Sequence, residues 1–293
     1  MVVLAIQVLL VILAAYFSVI FIKDIMENKD DLGKGNWVVA FLIGFITDAL
    51  DTLGIGSFAP TALALDATKQ LESDRQLPGT LNVAHTIPVI VEAILFVKVV
   101  KVEPMTLFSL VIAAAVGSIF GSKIVAKMPE RKVQLVMGIA LIVTALLMGA
   151  KQLGWLDMLG TGNTAIGLTG FKLIIGIIGN AVFGALMTAG VGLYAPCMAM
   201  IYMLGVSPIV AMPIMMTSCA ALMPVASREF IKTGNYARKI SLGITVGGVI
   251  GVVLAVNFVS GLDMNILTWV IIAVVIYTGV NMLLKSKKAP SAA

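Results

Sequence analysis

Gly54-Ile55-Gly56-Ser57-Phe58-Ala59-Pro60 decides how this chain is read, because the chain writes the pattern twice. Gly190-Val191-Gly192-Leu193-Tyr194-Ala195-Pro196 repeats it 136 residues later. Each copy interrupts a long apolar run with two glycines, then an aromatic residue, an alanine and a proline. Glycine admits positive φ and close backbone approach, and proline suits the start of a helix. Each copy therefore reads as a helix that stops, turns and restarts, the second half beginning at Pro60 and at Pro196. Broken backbone in lipid is tolerated only where protein buries it or where it lines a cavity. Paired breaks at corresponding places in two halves point to the binding site of a transporter.

Composition agrees with a lipid setting. Hydrophobic residues make up 60% of 293 and charged residues 12%, with a mean hydropathy of +1.07. A soluble domain carries about 25% charged residues, so this is an integral membrane protein. The net charge of +5 reflects lysines and arginines gathered in short loops, a topological signature and not a nucleic-acid footprint. Cys197 and Cys219 both lie in apolar runs and offer neither a disulfide framework nor metal-ligand spacing. No cofactor or metal site is expected. No phosphate-binding glycine loop of the Walker type occurs, so ATP-driven transport would need another chain. Met1 to Ile22 lacks a basic start and reads as a retained first helix, not a cleaved signal peptide.

The expected architecture is an all-α polytopic membrane protein with an N-terminal helix over 1–23 and repeats over 36–150 and 171–285. Each repeat holds one broken run followed by three ordinary spans, and the loop from Lys151 to Gly170 links them. Thr52 pairs with Thr188 at the same offset, and Pro78 and Pro88 pair with Pro213 and Pro224 to within one residue. If each broken run doubles back as a re-entrant hairpin, basic residues divide 16 to 4 in favour of the side carrying the C-terminal tail. Lys98, Lys101, Lys151 and Lys172 then stand on the other side. Single crossings give 14 to 6, so the positive-inside rule favours the hairpins. Three crossings per half invert the second repeat, which predicts seven spans plus two hairpins, the N-terminus outside and the C-terminus cytoplasmic.

In that geometry two helix N-termini face each other at mid-membrane. Each offers unpaired N–H groups and about half a positive charge, so the pair forms an anion site without an arginine. The candidate binding residues are Gly54, Gly56, Ser57, Phe58, Pro60 and Thr61 in one break, and Gly190, Gly192, Leu193, Tyr194, Pro196 and Cys197 in the other. Asn82, Thr217 and Ser218 join them from neighbouring spans. The blander alternative is that the glycines merely let helices pack closely. Four polar residues are candidates for coupling: Asp48, Asp51, His85 and Glu92. Asp48 and Asp51 share a helix face and have no counterpart in the second copy, where Gly184 and Met187 stand. They serve either as proton or cation sites or as partners for backbone left unpaired by the break. Asn82, His85 and Glu92 form a polar stripe, read either as a proton path or as hydrogen bonds between helices, with Glu92 and Arg228 near the interfaces.

Gly44-Phe45, Gly54-Ile55-Gly56, Pro60 and Pro78-Gly79-Thr80-Leu81-Asn82 resemble the sulfite exporter TauE/SafE family, also known as toluene sulfonate uptake permeases. So do Gly184, Gly190-Val191-Gly192, Pro196, Leu204-Gly205 and Thr217-Ser218 in the second half. The resemblance spans nearly the whole chain after the first helix. The chain departs from the family's longer glycine run, with Ser57 and Leu193 after the second glycine. The resemblance implies a permease of the cell membrane, not an enzyme, moving a small anion such as sulfite, sulfoacetate or another sulfonate without ATP. A membrane enzyme acting on a lipid phosphate and an anion channel are the alternatives. The former would want clustered acids and arginines at the tips, and no arginine stands there. Expected partners are a small anionic solute, the lipid bilayer and a coupling proton or cation, with a homodimer as one candidate assembly and no nucleic acid.

Overall fold

The structure is a computed structural model describing residues 2–53, 55–96, 102–258 and 265–288. Its helices are α1 (Val2–Glu27), α2 (Trp37–Thr52), α3 (Phe58–Ala67), α4 (Leu77–Phe96), α5 (Pro104–Val125) and α6 (Glu130–Gln152). Then follow α7 (Trp155–Leu159), α8 (Gly170–Met187), α9 (Tyr194–Met203), α10 (Pro208–Thr233), α11 (Arg238–Phe258) and α12 (Asn265–Lys288). No strand occurs among the described residues beyond one isolated bridge between Ala165 and Val206.

Eight of the described helices are long and apolar enough to cross a membrane: α1, α4, α5, α6, α8, α10, α11 and α12. The chain is a multi-pass membrane protein. At 1.5 Å per residue the 20 residues of α4 span about 30 Å, the thickness of a hydrocarbon core. The 10 residues of α3 and of α9 reach only about 15 Å, half that depth. α4 and α10 run through the centre of the bundle and are largely buried, whereas α1 turns Leu4, Val8, Val11, Ile12 and Val19 outward.

Both breaks predicted at the glycines are present. α2 ends at Thr52 before α3, and α8 ends at Met187 before α9. The second halves start at Phe58 and Tyr194, two residues earlier than the prolines suggested. Pro60 and Pro196 fall inside the first turn, where the amide that proline lacks would have had no helical partner anyway. Each broken run also ends beside its own beginning. Asn36 N, at the cap of α2, donates to Gln70 Oε1 just beyond α3 (2.7 Å), and Lys34 N donates to Glu72 Oε1 (3.0 Å). In the second run Ser207 N donates to Ala165 O (2.9 Å) and Asn163 Nδ2 to Tyr202 O (2.7 Å).

Packing between the two halves follows a reciprocal pattern. α2 lies along α11 and α8 along α5; α4 meets α11 while α10 meets α5; α6 and α12 pack on each other. Glycines set both of the closest contacts. A Cβ on Gly44, Gly247 or Gly251 would overlap the facing backbone of Ile244, Phe41 or Phe45. One on Gly117, Gly121 or Gly184 would overlap that of Ala181, Ala185 or Ala114. Small residues let membrane helices approach until backbone touches backbone, where dispersion and not the hydrophobic effect holds them. At the breaks, a Cβ on Gly56 or Gly192 would meet nothing, whereas one on Gly190 would meet the Met137 side chain.

The link expected from Lys151 to Gly170 is partly helical. α6 runs on through Lys151 to Gln152, and α7 follows within the link. Lys98 and Lys101 lie outside the described residues, as does Gly54.

Candidate functional site

One cavity of about 100 Å³ collects both breaks. The first contributes Ile55, Gly56, Ser57, Phe58 and Ala59, and the second Gly192, Leu193, Tyr194 and Ala195. Neither α3 nor α9 has a side chain capping its N-terminus. Leu193 has no group to offer, and the Ser57 hydroxyl donates instead to Asp51 Oδ2 (2.6 Å). The first residues of both half-helices line this space, and Pro60 and Pro196 carry no amide donor in the same first turns. The two turns differ in detail: positive φ falls at Gly56 (+92°) in one and at Gly190 (+95°) in the other.

Three charged side chains line the same cavity: Asp51 from α2, Glu92 from α4 and Lys151 from α6. The Lys151 ammonium sits over the Tyr194 ring, 4.9 Å from its centroid. Lys151 is the residue that sequence reading missed, having been assigned to the link between repeats. Its signal was available in the spacing: Lys151 follows Thr144, Leu147 and Met148 at helical intervals, and all four line the cavity.

Behind the wall lies a second polar layer. Asp48 Oδ1 is 2.7 Å from His85 Nδ1, and both side chains are fully buried. The Phe58 ring, on the cavity side, tilts against His85 at 5.8 Å between centroids. Asp48 Oδ2 and His85 Nε2 have no further hydrogen-bond partner. Asp48 therefore meets a histidine of α4 and not the backbone of the break, a contact that also ties the two helices together. Asp51, by contrast, accepts from the Ser57 hydroxyl at the break itself. Glu92 is only 4% exposed and faces the cavity, four residues before the end of α4. Arg228 is exposed.

The remaining candidates stand off the cavity wall. Thr61 Oγ1 donates to Thr47 Oγ1 (2.8 Å), pinning α3 to α2, and Cys197 is wholly buried in α9. Asn82 Nδ2 donates to Pro78 O (2.8 Å) and, at 3.4 Å, to Thr188 O beside the second break. Ser218 accepts from Asn180 Nδ2 (3.0 Å), while Thr217 Oγ1 is buried without a partner. Pro60, Pro196 and Gly190 shape the breaks without lining the space. Thr144, Leu147 and Met148 of α6, Met187 of α8, and Met216 and Cys219 of α10 complete the lining. No group of three or more His, Cys, Asp or Glu suited to a metal ion occurs among the described residues.

A second cavity, of about 440 Å³, opens at the other end of α3 and is lined by Ala62, Leu65, Asp66, Asp74, Asn281 and Lys285, among others. Lys285 Nζ pairs there with Asp66 Oδ1 (2.6 Å) and Asp74 Oδ2 (3.5 Å). Pro60 and Thr61 lie between the α3 residues that line the two spaces.

A polytopic helical protein with two interrupted helices meeting at a small charged cavity belongs, by architecture, among membrane proteins that handle small solutes. The family model of the sulfite exporter TauE/SafE matches residues 1–148, and the chain belongs to that family. No curated protein and no solved structure matches it. The family is one of transporters, so the chain is a membrane transport protein of the exporter type and not a member of an enzyme family.

Proposed function

We propose that this chain is a secondary transporter that moves a small organic or sulfur-containing anion, such as sulfite, sulfoacetate or another sulfonate, across the cytoplasmic membrane by alternating access. The observation that carries the reading is the single cavity shared by the uncapped starts of α3 and α9. Helix N-termini bind anions through free amides and their share of the macrodipole, and do so most strongly where water is scarce. Lys151 adds a full charge at the same place.

Two inverted repeats over 36–150 and 171–285, each with a re-entrant hairpin, account for the reciprocal packing of the halves. They also account for the hydrogen bonds that join the two ends of each broken run. The N-terminus lies outside and the tail in the cytoplasm, as the basic residues favour. Alternating access then amounts to movement of α3 and α9 between the small cavity and the larger space beside Lys285. Opening toward that space requires the Asp66–Lys285–Asp74 contacts to part.

A thermal-shift series on the purified protein tests the reading. A ligand at 100 times its Kd stabilises the native state by about 2.7 kcal/mol. Sulfite, sulfoacetate, methanesulfonate and short carboxylates are the probes, and at least one should raise the melting temperature by several degrees. A shift with isoprenoid phosphates and none with these anions would overturn the proposal.

A further inference from the structure

The charges around the small cavity do not balance once an anion is inside it. Asp48 and Asp51 on α2, His85 and Glu92 on α4, Lys151 on α6, Tyr194, Cys197 and Tyr202 on α9, and Cys219 on α10 are among the titratable groups of the elements around it. Asp48 is met by His85. Asp51 accepts from Ser57 and sits at the positive end of α3. Lys151 supplies one positive charge to the wall. Glu92 has no salt bridge and no hydrogen bond among the described residues, although it is 96% buried and faces the cavity. An ionised carboxylate so placed competes with any bound anion for Lys151 and the helix ends, and a buried charge without a partner is costly. A protonated Glu92 removes that repulsion and offers an O–H donor to the solute instead.

We infer that the solute crosses together with a proton, and that Glu92 is the group that carries it. This rests on the transport reading above. The proton comes from water on the side to which the cavity opens and binds a carboxylate oxygen of Glu92. It leaves to water on the other side when the anion does; no bond of the solute is made or broken. Because each ligand relieves the cost of the other, the two affinities are coupled reciprocally. The second copy of the repeat has Arg228 at the position equivalent to Glu92, so one carboxylate, not a symmetric pair, serves the site.

The test uses the full-length protein in sealed vesicles with a pH-sensitive dye inside and labelled methanesulfonate outside. That anion stays ionised across the working range, so any dependence on pH belongs to the protein. With the membrane potential clamped at zero, a tenfold inward proton gradient should sustain up to about tenfold accumulation by the native chain, with matching acidification. Glu92→Gln should still exchange methanesulfonate between the two sides but should not accumulate it, and its exchange should no longer vary with pH. Glu92→Asp, which keeps the acid, should restore accumulation and shows that loss in the glutamine variant is not misfolding. Transport by the native chain without acidification, or proton-driven accumulation by Glu92→Gln, would overturn the coupling alone. Absence of any flux or binding of methanesulfonate, sulfite or sulfoacetate would overturn the transport reading and the coupling with it.

Discussion

Replacing Gly192 first by alanine and then by leucine fills the small cavity from one wall without disturbing what lies behind it. A Cβ built on Gly192 meets no atom within 4 Å, and its φ is not one that L residues avoid. Its neighbours Leu193, Tyr194 and Ala195 share the lining, so the added carbons enter the solute space. Leucine brings four heavy atoms to the wall of this space. The cavity holds about 100 Å³. A solute held there by two charge-assisted hydrogen bonds of about 1.5–3 kcal/mol each would lose both. Binding should weaken by about a hundredfold to ten-thousandfold. Alanine adds a single carbon at the wall and should weaken binding less, about tenfold. The alanine carbon meets no clash, so Gly192→Ala should stay within about 0.5 kcal/mol of the native chain. Labelled methanesulfonate binding and thermal melting of the purified variants give both numbers. Native-like binding by Gly192→Leu, with an unchanged melting temperature, would show that the solute does not sit between the breaks.

Lys151→Gln should weaken anion binding about tenfold to a hundredfold through loss of one charged contact of about 1.5–3 kcal/mol, with little change in melting; an unaltered affinity would remove Lys151 from the site. Asp48→Ala should destabilise the fold by about 3 kcal/mol or more, because it leaves His85 buried without its partner, and a double-mutant cycle with His85→Ala should recover part of that loss. Gly117→Val should yield little folded protein, since its side chain would overlap the Ala181 backbone where α5 meets α8; size-exclusion profiles in detergent report it.

Much of the architecture was legible because lipid makes sequence literal. Apolar runs about 20 residues long become spans, and a Gly-x-Gly pair followed by proline can only be a break. The duplicated stretch located both tips, and Gly56, Ser57, Phe58, Gly192, Leu193 and Tyr194 all line the shared cavity. What the chain could not announce was which polar groups of neighbouring helices turn toward it. Glu92 and Asn82 lie on one face of α4, yet Glu92 reaches the cavity while Asn82 binds backbone near the second break. The choice depends on how α4 is rotated against α10 and α11, and that is set by packing. Lys151 was hidden for another reason: a lysine at the end of an apolar run reads as a loop residue that snorkels, whereas this one folds back over Tyr194. The partnership of Asp48 with His85 crosses 37 residues and two helices, beyond any spacing rule.

The central claim is that the amide ends of α3 and α9 hold a negatively charged solute between them. A structure of the protein soaked with a bromine-labelled alkylsulfonate, with the bromine located by its anomalous signal, tests this most directly. The account predicts one site in the small cavity, with sulfonate oxygens within hydrogen-bond distance of backbone N–H groups from both breaks and near Lys151. A fully occupied sulfonate elsewhere in the molecule, with this cavity empty or its glycine-proline turns facing lipid, would contradict it.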